Sequence, residues 1–169
     1  TCYCPVRSTT CPGSAYSQQL LYMSRNSAEI PENCQCPRQL FGIDLALFLE
    51  QRTQQGHQIL LMGDFNSEYQ HLKEWMLNNG LTDILYKRHG HGPRTCKRSK
   101  DSPIDCIFAS PNLACKKGGF LSFSKLVSDH RGIWCDIPKA LLFGFNPPPI
   151  THPNARRLIM EDPRVQEQY

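Results

Sequence analysis

The sequence of 169 residues has no long apolar run. Its apolar stretches, such as residues 59–62 and 141–145, fall far short of the roughly 20 apolar residues that a membrane-spanning helix needs. Its start also lacks an initiator methionine, a basic leader followed by an apolar stretch, and a small-residue cleavage site. We therefore expect a protein that is not embedded in a membrane. The first residues indicate a fragment of a longer protein, and they do not indicate a cellular compartment.

The chain also has little excess of charge of either sign. Lysine and arginine outnumber aspartate and glutamate by 19 to 15, which gives a net charge of +4. This excess is too small for the charge of the whole chain to indicate a nucleic-acid-binding protein, so the placement of the charges matters more. The length suits one domain with a substantial core rather than two domains.

The chain contains nine cysteines, an odd number at a density below that of small disulfide-stapled secreted domains. We therefore expect most of them to be reduced thiols, as in an intracellular protein of the nucleus or cytoplasm. Five of them could be imagined as zinc ligands: Cys2, Cys4, Cys11, Cys34 and Cys36. The C-x-C spacing fits a structural zinc site poorly, so buried hydrophobes or loop thiols are the favoured interpretation.

Apolar periodicity predicts helices over residues 16–25 and 37–56, the second packed on a sheet by its leucines and phenylalanines. The continuous apolar run at residues 58–62 predicts a strand buried on both faces, and the capping box at residues 67–70 predicts another helix. Shorter strands are predicted at residues 3–6, 81–86, 104–109, 120–123 and 133–137. Because strands and helices alternate irregularly, we expect an α+β fold, or a sandwich of sheets covered by helices.

The composition changes after Pro138. Asn146 precedes three prolines in a stiff extended segment, and the residues that follow have no apolar periodicity. The sequence therefore predicts a domain over residues 1–138 and a proline-rich linker or tail over residues 139–169.

Asp64 and Asn66 directly follow the predicted buried strand, where a rigid scaffold gives way to an accessible loop. In extended geometry two residues at this spacing point the same way. The carboxylate could orient or deprotonate a water, and the amide could hold that water or a phosphate. The alternative is an Asx turn that caps the following helix, and the tetrapeptide alone does not decide between the two.

Two further segments carry acidic residues or histidine. Ser128, Asp129 and His130 precede a predicted strand, and a neighbouring carboxylate can hold a histidine in its charged form. By itself such a pair is usually a polar loop. Asp105 lies among apolar residues, where an unpaired carboxylate would be costly, so we expect another group to pair with it.

Residues 87–100 contain six basic residues and no acidic one. They could be a solvated loop, or they could contact a phosphate backbone. The candidate nucleic-acid-binding residues of this segment are Lys87, Arg88, Arg94, Lys97, Arg98 and Lys100.

Taken in order, four motifs resemble the endonuclease/exonuclease/phosphatase superfamily, which has the DNase I-like fold. They are Tyr3 with Pro5 at a strand end, Gly-Asp-Phe-Asn at 63–66, Ile-Asp-Cys-Ile at 104–107 and Ser-Asp-His at 128–130. Each motif is weak alone, and the ordered set is specific. The sequence words at 103–105, 118–121, 128–134, 156–158 and 161–165 look like endonuclease regions of non-LTR-type retrotransposon polyproteins. In such polyproteins a tail of this kind leads toward a reverse transcriptase region.

This resemblance implies a role for each matching residue. Asp64 and Asn66 would position and activate the water that attacks a phosphodiester. His130 would bind the scissile phosphate or act in acid–base chemistry, and Asp105 would pair with His130. That pairing would supply the partner that a partly buried Asp105 needs.

The resemblance further implies a Mg²⁺ cofactor, with Mn²⁺ as an alternative. Asp129, helped by Asp64, would be a carboxylate ligand of the ion, and the hydroxyl of Tyr3 would reach the phosphate. The ion would neutralise charge that develops on the phosphate oxygens.

Domains of this family open with strands, including one with a metal-binding Glu, that lie upstream of the tyrosine-bearing strand. The resemblance therefore implies part of a four-layer sandwich of two sheets flanked by helices, with its N-terminal strands missing. The favoured interpretation is a Mg²⁺-dependent DNA endonuclease of a retroelement, whose activity is expected to be impaired in this fragment. The alternatives are a catalytically dead remnant that binds nucleic acid, and a phosphodiesterase of the same fold that acts on a small phosphate ester.

Overall fold

A four-stranded sheet and a two-stranded sheet form the centre of the chain. The computed structural model describes residues 2–6, 11–32, 34–90 and 92–143, and for Cys2, Tyr3, Lys87 and Phe143 it describes the backbone alone. The expected α+β class is confirmed, since helices and strands of both sheets share the chain.

The larger sheet has the strand order β1-β2-β4-β3. Its strands are β1 (Cys2–Tyr3), β2 (Leu60–Asp64), β3 (Thr82–Asp83) and β4 (Asp105–Ala109). Strand β1 runs parallel to β2, whereas β4 is antiparallel to both of its neighbours. The smaller sheet is the antiparallel pair of β5 (Lys117–Phe120) and β6 (Ile133–Asp136).

Local sequence signals explain where the helices begin and end. The helices are α1 (Ala15–Arg25), α2 (Pro37–Gln54), α3 (Tyr69–Asn78), the short α4 (Tyr86–His89) and α5 (Lys139–Phe143). The hydroxyl of Ser14 caps α1 by accepting the N–H of Ser17, and Pro37 opens α2. Gly56 and Gly80 follow α2 and α3 with positive φ, the backbone conformation in which helices commonly end.

Strand β4 lies at the centre of the core because its two faces bury different partners. Cys106 and Phe108 pack with residues of α2 and α3, among them Leu49. Ile107 packs on the opposite side with residues of β5 and β6. The larger sheet therefore lies between a helical layer and the smaller sheet.

Three local expectations are wrong. Strand β2 is not buried on both faces, since the side chain of Met62 is 38% exposed. Phe48 of α2 is 49% exposed, so this phenylalanine is not part of the face that α2 packs on the sheet. Residues 67–70 form no capping box, because Glu68 is the N-cap of α3. The Ser67 hydroxyl instead accepts a hydrogen bond from Arg38 at 2.6 Å.

Three predicted strands differ in extent. The strand expected at residues 3–6 corresponds to β1, which ends at Tyr3. The strand expected at residues 81–86 is reduced to β3, because α4 begins at Tyr86. The strand expected at residues 120–123 lies earlier, as β5. Backbone packing explains the shift: a Cβ on Gly118 would lie 2.8 Å from the side chain of Leu85 and 3.1 Å from the carbonyl oxygen of Trp134. Glycine in this strand therefore permits a close approach that β-propensity does not predict.

The chain divides into two compact units, residues 1–138 and residues 139–169. In the second unit, helix α5 is the part that the structure describes, and most of the predicted proline-rich linker lies outside the described residues. Among the helices of the described ranges, none has the length and apolar character required to cross a membrane.

We predict that Leu49→Ala lowers the free energy of unfolding by about 2 to 5 kcal/mol, because Leu49 is 1% exposed and its truncation leaves a cavity. Leu47→Ala, on the same helix at 59% exposure, should change it by less than about 0.5 kcal/mol. Urea unfolding followed by circular dichroism measures both. Equal losses would contradict the described packing of α2.

Candidate functional site

The centre of the candidate site is a hydrogen-bonded pair of Asp105 and His130. Nδ1 of His130 lies 2.9 Å from Oδ2 and 3.2 Å from Oδ1 of Asp105. The side chains are 15% exposed for Asp105 and 32% exposed for His130. The expected contact between these two residues is therefore present, and the partly buried carboxylate has its partner.

Strand register brings Asp64 to the same place. Asp64 ends β2 and lies opposite Asp105, the first residue of β4. One donor atom from each of Asp64, Asp105 and His130 lies within 4.8 Å of the others. Two carboxylates and one imidazole thus converge at one end of the larger sheet.

The segment around His130 is held by backbone pairing with residues 95–97. The N–H of Arg131 donates to the carbonyl of Thr95, and the N–H of Lys97 donates to the carbonyl of Asp129, both at 2.8 Å. Cys96 and His130 lie opposite each other as an antiparallel pair, with one of these hydrogen bonds on either side. Part of the basic segment is therefore built into the site rather than being a free loop.

Thr95 is a positioning residue that the motifs did not indicate. It is fully buried, and its Oγ1 accepts hydrogen bonds from the N–H groups of Ile104 and Asp105, each at 3.0 Å. Since its carbonyl also accepts from Arg131, Thr95 joins the start of β4 to the segment of His130. A threonine within a basic run carries no sequence signal for such a role.

Ser128 also helps to shape the segment. Its Oγ accepts the N–H of His130 at 3.0 Å, in a local turn that the Ser-Asp-His motif makes available. The serine of this motif therefore acts on the backbone conformation that presents His130.

Asn66 departs from the expected extended geometry. Its φ is +46°, in the left-handed region, because the chain turns directly after β2. Its N–H donates to Oδ1 of Asp64 at 3.0 Å, and its Nδ2 donates to the carbonyl of Cys4 at 2.9 Å. The Asx-turn bond is thus present, although it caps no helix. Asn66 adjoins Asp64, and its amide holds the residue that follows β1.

Asp129 lies beside His130 and forms an ion pair with Arg98, whose Nε is 3.3 Å from Oδ2 of Asp129. One donor atom from each of Cys96, Asp129 and His130 lies within 4.8 Å of the others. Asp129 thus belongs to a second group of possible ligands that shares His130 with the first.

Tyr3 pairs in register with Asp64, so β1 places its backbone next to the site. Its side chain lies outside the described part of the structure. The contact expected between the Tyr3 hydroxyl and a phosphate is therefore still a prediction.

The basic residues of 87–100 differ in their surroundings. Arg88 belongs to α4, where its guanidinium donates to the carbonyl of Lys116, and the side chain of Lys87 lies outside the described part. Exposed side chains also follow α4, at Arg94, Lys97, Arg98 and Lys100. The ammonium of Lys97 lies 5.7 Å from the ring centroid of Phe123, and the guanidinium of Arg131 lies 4.3 Å from it.

The eight cysteines of the described residues that the structure places with their side chains are free thiols. Cys4 and Cys34 are buried and Cys36 is half-buried. Within the described ranges, these three do not form a group with metal-ligand geometry. The preferred interpretation of them as buried or loop thiols therefore fits their placement.

The surroundings of the site alter two pKa values. Burial lowers the pKa of His130, but the hydrogen bond and charge of Asp105 raise it more, so that the net pKa lies above the ordinary value. Burial raises the pKa of Asp64, and the charge of Asp105 adds to this effect. The hydrogen bond from Asn66 opposes the rise without cancelling it.

Comparison of the chain with family models, with curated proteins and with solved structures finds no match. Function must therefore be argued from the geometry of these residues and from the motifs that they carry.

We predict that His130 titrates above 6.5 in the folded chain and that Asp105→Asn lowers its pKa, because the neutral amide supplies no charge to offset burial. NMR titration of the His130 ring measures both values. The stability that this pair provides should be fully present below the ordinary histidine pKa and should be lost as the pH rises through the raised value. The ring signals of the exposed His57, compared at one fixed pH, serve as a control and should be the same in both proteins. An unchanged His130 titration in the variant would contradict the described pair.

Proposed function

We propose that the chain hydrolyses phosphodiester bonds of DNA, as part of a metal-dependent endonuclease with the DNase I-like fold. The observation that carries the proposal is the convergence of Asp64, Asp105 and His130, three residues from separate motifs, with their donor atoms within 4.8 Å. The larger sheet covered by α2 and α3 on one face and by a smaller sheet on the other supports the same assignment of fold.

His130 is suited to contact the phosphate. Asp105 bonds Nδ1, which fixes the orientation of the ring and leaves Nε2 for a substrate. The raised pKa of His130 favours its protonated form, which can donate a hydrogen bond to a phosphate oxygen or a proton in acid–base catalysis. Asp105 is then a positioning residue that acts through the imidazole.

Asp64 is suited to accept a proton from the attacking water. Its raised pKa makes this carboxylate a stronger base than an exposed aspartate. The N–H of Asn66 fixes one carboxylate oxygen, and the left-handed backbone of Asn66 lets the chain turn directly behind the site. Asn66 therefore orients Asp64 and borders the position of the water.

The donor chemistry fits Mg²⁺, with Mn²⁺ as an alternative, because hard divalent cations prefer carboxylate oxygens. Asp64 and Asp129 would hold the ion, as the family resemblance implies, and both carboxylate oxygens of Asp105 are turned to His130. The pair of Asp129 and Arg98 is exposed and gives way easily. When bound, the ion would stabilise negative charge on the phosphate oxygens.

A polynucleotide substrate is supported by the exposed cations beside the site. Lys97 and Arg98 directly follow Cys96, which pairs with His130. Phosphate groups on either side of the scissile bond would meet these cations. The motif words that resemble retrotransposon polyproteins suggest a retroelement as the source and a reverse transcriptase region as a partner in the same polypeptide.

One observation favours a second candidate, a remnant that binds nucleic acid without cleaving it. Arg98 already occupies the carboxylate of Asp129, one of two that would hold the metal. A chain in which basic side chains such as Arg98 take the place of the metal would bind the phosphates of a nucleic acid without cleaving its phosphodiester bonds.

We predict that the 169-residue chain has little or no Mg²⁺-dependent nicking activity, because two carboxylates bind Mg²⁺ weakly. A longer polypeptide, extended upstream by about 80 to 100 residues as the family resemblance implies, should nick supercoiled plasmid. Asp64→Ala or His130→Ala should reduce the rate by about 100-fold or more, since each removes a group that acts on the reacting atoms.

Asp44→Ala, which removes an exposed carboxylate from α2, is the control and should retain full activity. EDTA should abolish nicking. An inert longer polypeptide would favour the binding remnant, whereas strong nicking by the 169-residue chain would refute the expectation of weak metal binding.

We predict that replacing Lys97, Arg98 and Lys100 by Ala weakens DNA binding about equally for all sequences. Loss of three phosphate contacts should reduce the slope of log K against log salt by up to about 3 units. Fluorescence anisotropy with labelled duplexes measures this slope, and Arg25→Ala with Arg52→Ala, on the helices α1 and α2, provides the control. An unchanged slope would show that these cations are only solvated.

A further inference from the structure

We propose that Cys96, Asp129 and His130 bind a borderline-soft divalent cation of the Zn²⁺ type, at a site that shares Asp129 with the proposed Mg²⁺ position but takes Cys96 and His130 in place of Asp64. One donor atom from each residue lies within 4.8 Å of the others, close enough for small side-chain movements to bring them around one ion. A thiolate, a carboxylate and an imidazole are all ligands of zinc, whereas Mg²⁺ rarely takes a thiolate.

The backbone already aligns two of the three ligands. Cys96 and His130 face each other between the bond of Lys97 to Asp129 and the bond of Arg131 to Thr95. A pair in this position is a non-hydrogen-bonded pair of an antiparallel ladder, in which the two side chains are closest. Forming the site therefore requires little rearrangement of the backbone.

Asp105 orients the histidine ligand through a hydrogen bond. A histidine that ligates zinc almost always donates its other ring N–H to a carboxylate or a carbonyl. Nδ1 of His130 is 2.9 Å from Asp105, so Nε2 is the nitrogen left for a metal. This is the orientation that such a ligand needs.

Two features set the conditions for binding. Cys96 is 5% exposed, and binding converts its thiol to a thiolate with release of one proton, so binding should strengthen as the pH rises. Arg98 must leave Asp129, and this exposed ion pair is a weak competitor. An ion bound at this site would prevent His130 from contacting a substrate. That consequence rests on the proposed function, whereas the binding of the ion does not rest on it.

Co²⁺ is the probe of choice, because a thiolate ligand gives it an intense near-ultraviolet charge-transfer band. Titration of the 169-residue chain with Co²⁺ should produce this band, which should saturate at one equivalent. Addition of Zn²⁺ should displace the Co²⁺ and abolish the band. The band should be lost in Cys96→Ser. It should persist in Cys115→Ser, which removes a half-buried thiol that lies outside the group.

Two further variants separate this site from adventitious binding. Arg98→Ala should tighten Co²⁺ binding by freeing Asp129, and Asp105→Asn should weaken it by about 10- to 100-fold through the orientation of His130. Circular dichroism establishes that each variant is folded. If Cys96→Ser fails to fold, NMR spectra of the unaltered chain with Co²⁺ provide the test instead. Binding at the proposed site should broaden the ring signals of His130 and leave those of His57 unaffected.

No band in the unaltered chain, a band that survives Cys96→Ser, or broadening that spares His130 would overturn the proposal. None of these measurements depends on cleavage of DNA. An inert nuclease would therefore leave the metal site standing, and failure of the metal site would leave the proposed hydrolysis standing.

Discussion

The burial of strand β4 on both faces is the constraint on which the other elements depend. Cys106 and Phe108 require the helical layer, and Ile107 and Ala109 require the smaller sheet. Each layer is too small to bury its own apolar face, so the layers are stable only together. The strand that organises the core also begins with Asp105, so the core and the candidate site are anchored by one element.

A carboxylate at the end of such a strand is stable only if polar groups replace the water that it loses. His130 donates a hydrogen bond to the carboxylate, and the hydroxyl oxygen of Thr95 accepts one from the N–H of Asp105. These partners arrive from two other segments that are themselves joined by backbone bonds. Backbone pairing therefore fixes the groups that satisfy Asp105, as a partly buried carboxylate requires if it is to avoid a net cost.

Sequence reasoning predicts those parts of the fold that follow from local periodicity. The extents of α1 and α2 follow the spacing of apolar residues and the proline at position 37. The burial of Asp105 among apolar residues correctly indicates that it has a partner. The resemblance of the motifs correctly names that partner as His130.

Other features depend on contacts between distant segments, which local patterns do not encode. Ser67 binds Arg38 instead of capping α3, and Asn66 turns its amide to Cys4. The role of Thr95 is not predicted because it arises from burial, from bonds to the start of β4 and from a backbone bond to the distant Arg131. The pairing of Arg98 with Asp129 is likewise invisible until the two segments are adjacent.

The pairing of residues 95–97 with the segment of His130 also has a kinetic consequence. Contacts between residues so far apart in the chain form slowly, since the intervening loop must close before they provide any stabilisation. Helices α1 and α2 can form from local interactions, whereas Asp64, Asp105 and His130 meet only when both sheets are in place. A chain that has gained its helices would still lack the convergence of these three residues, and the candidate site would be among the last features to form.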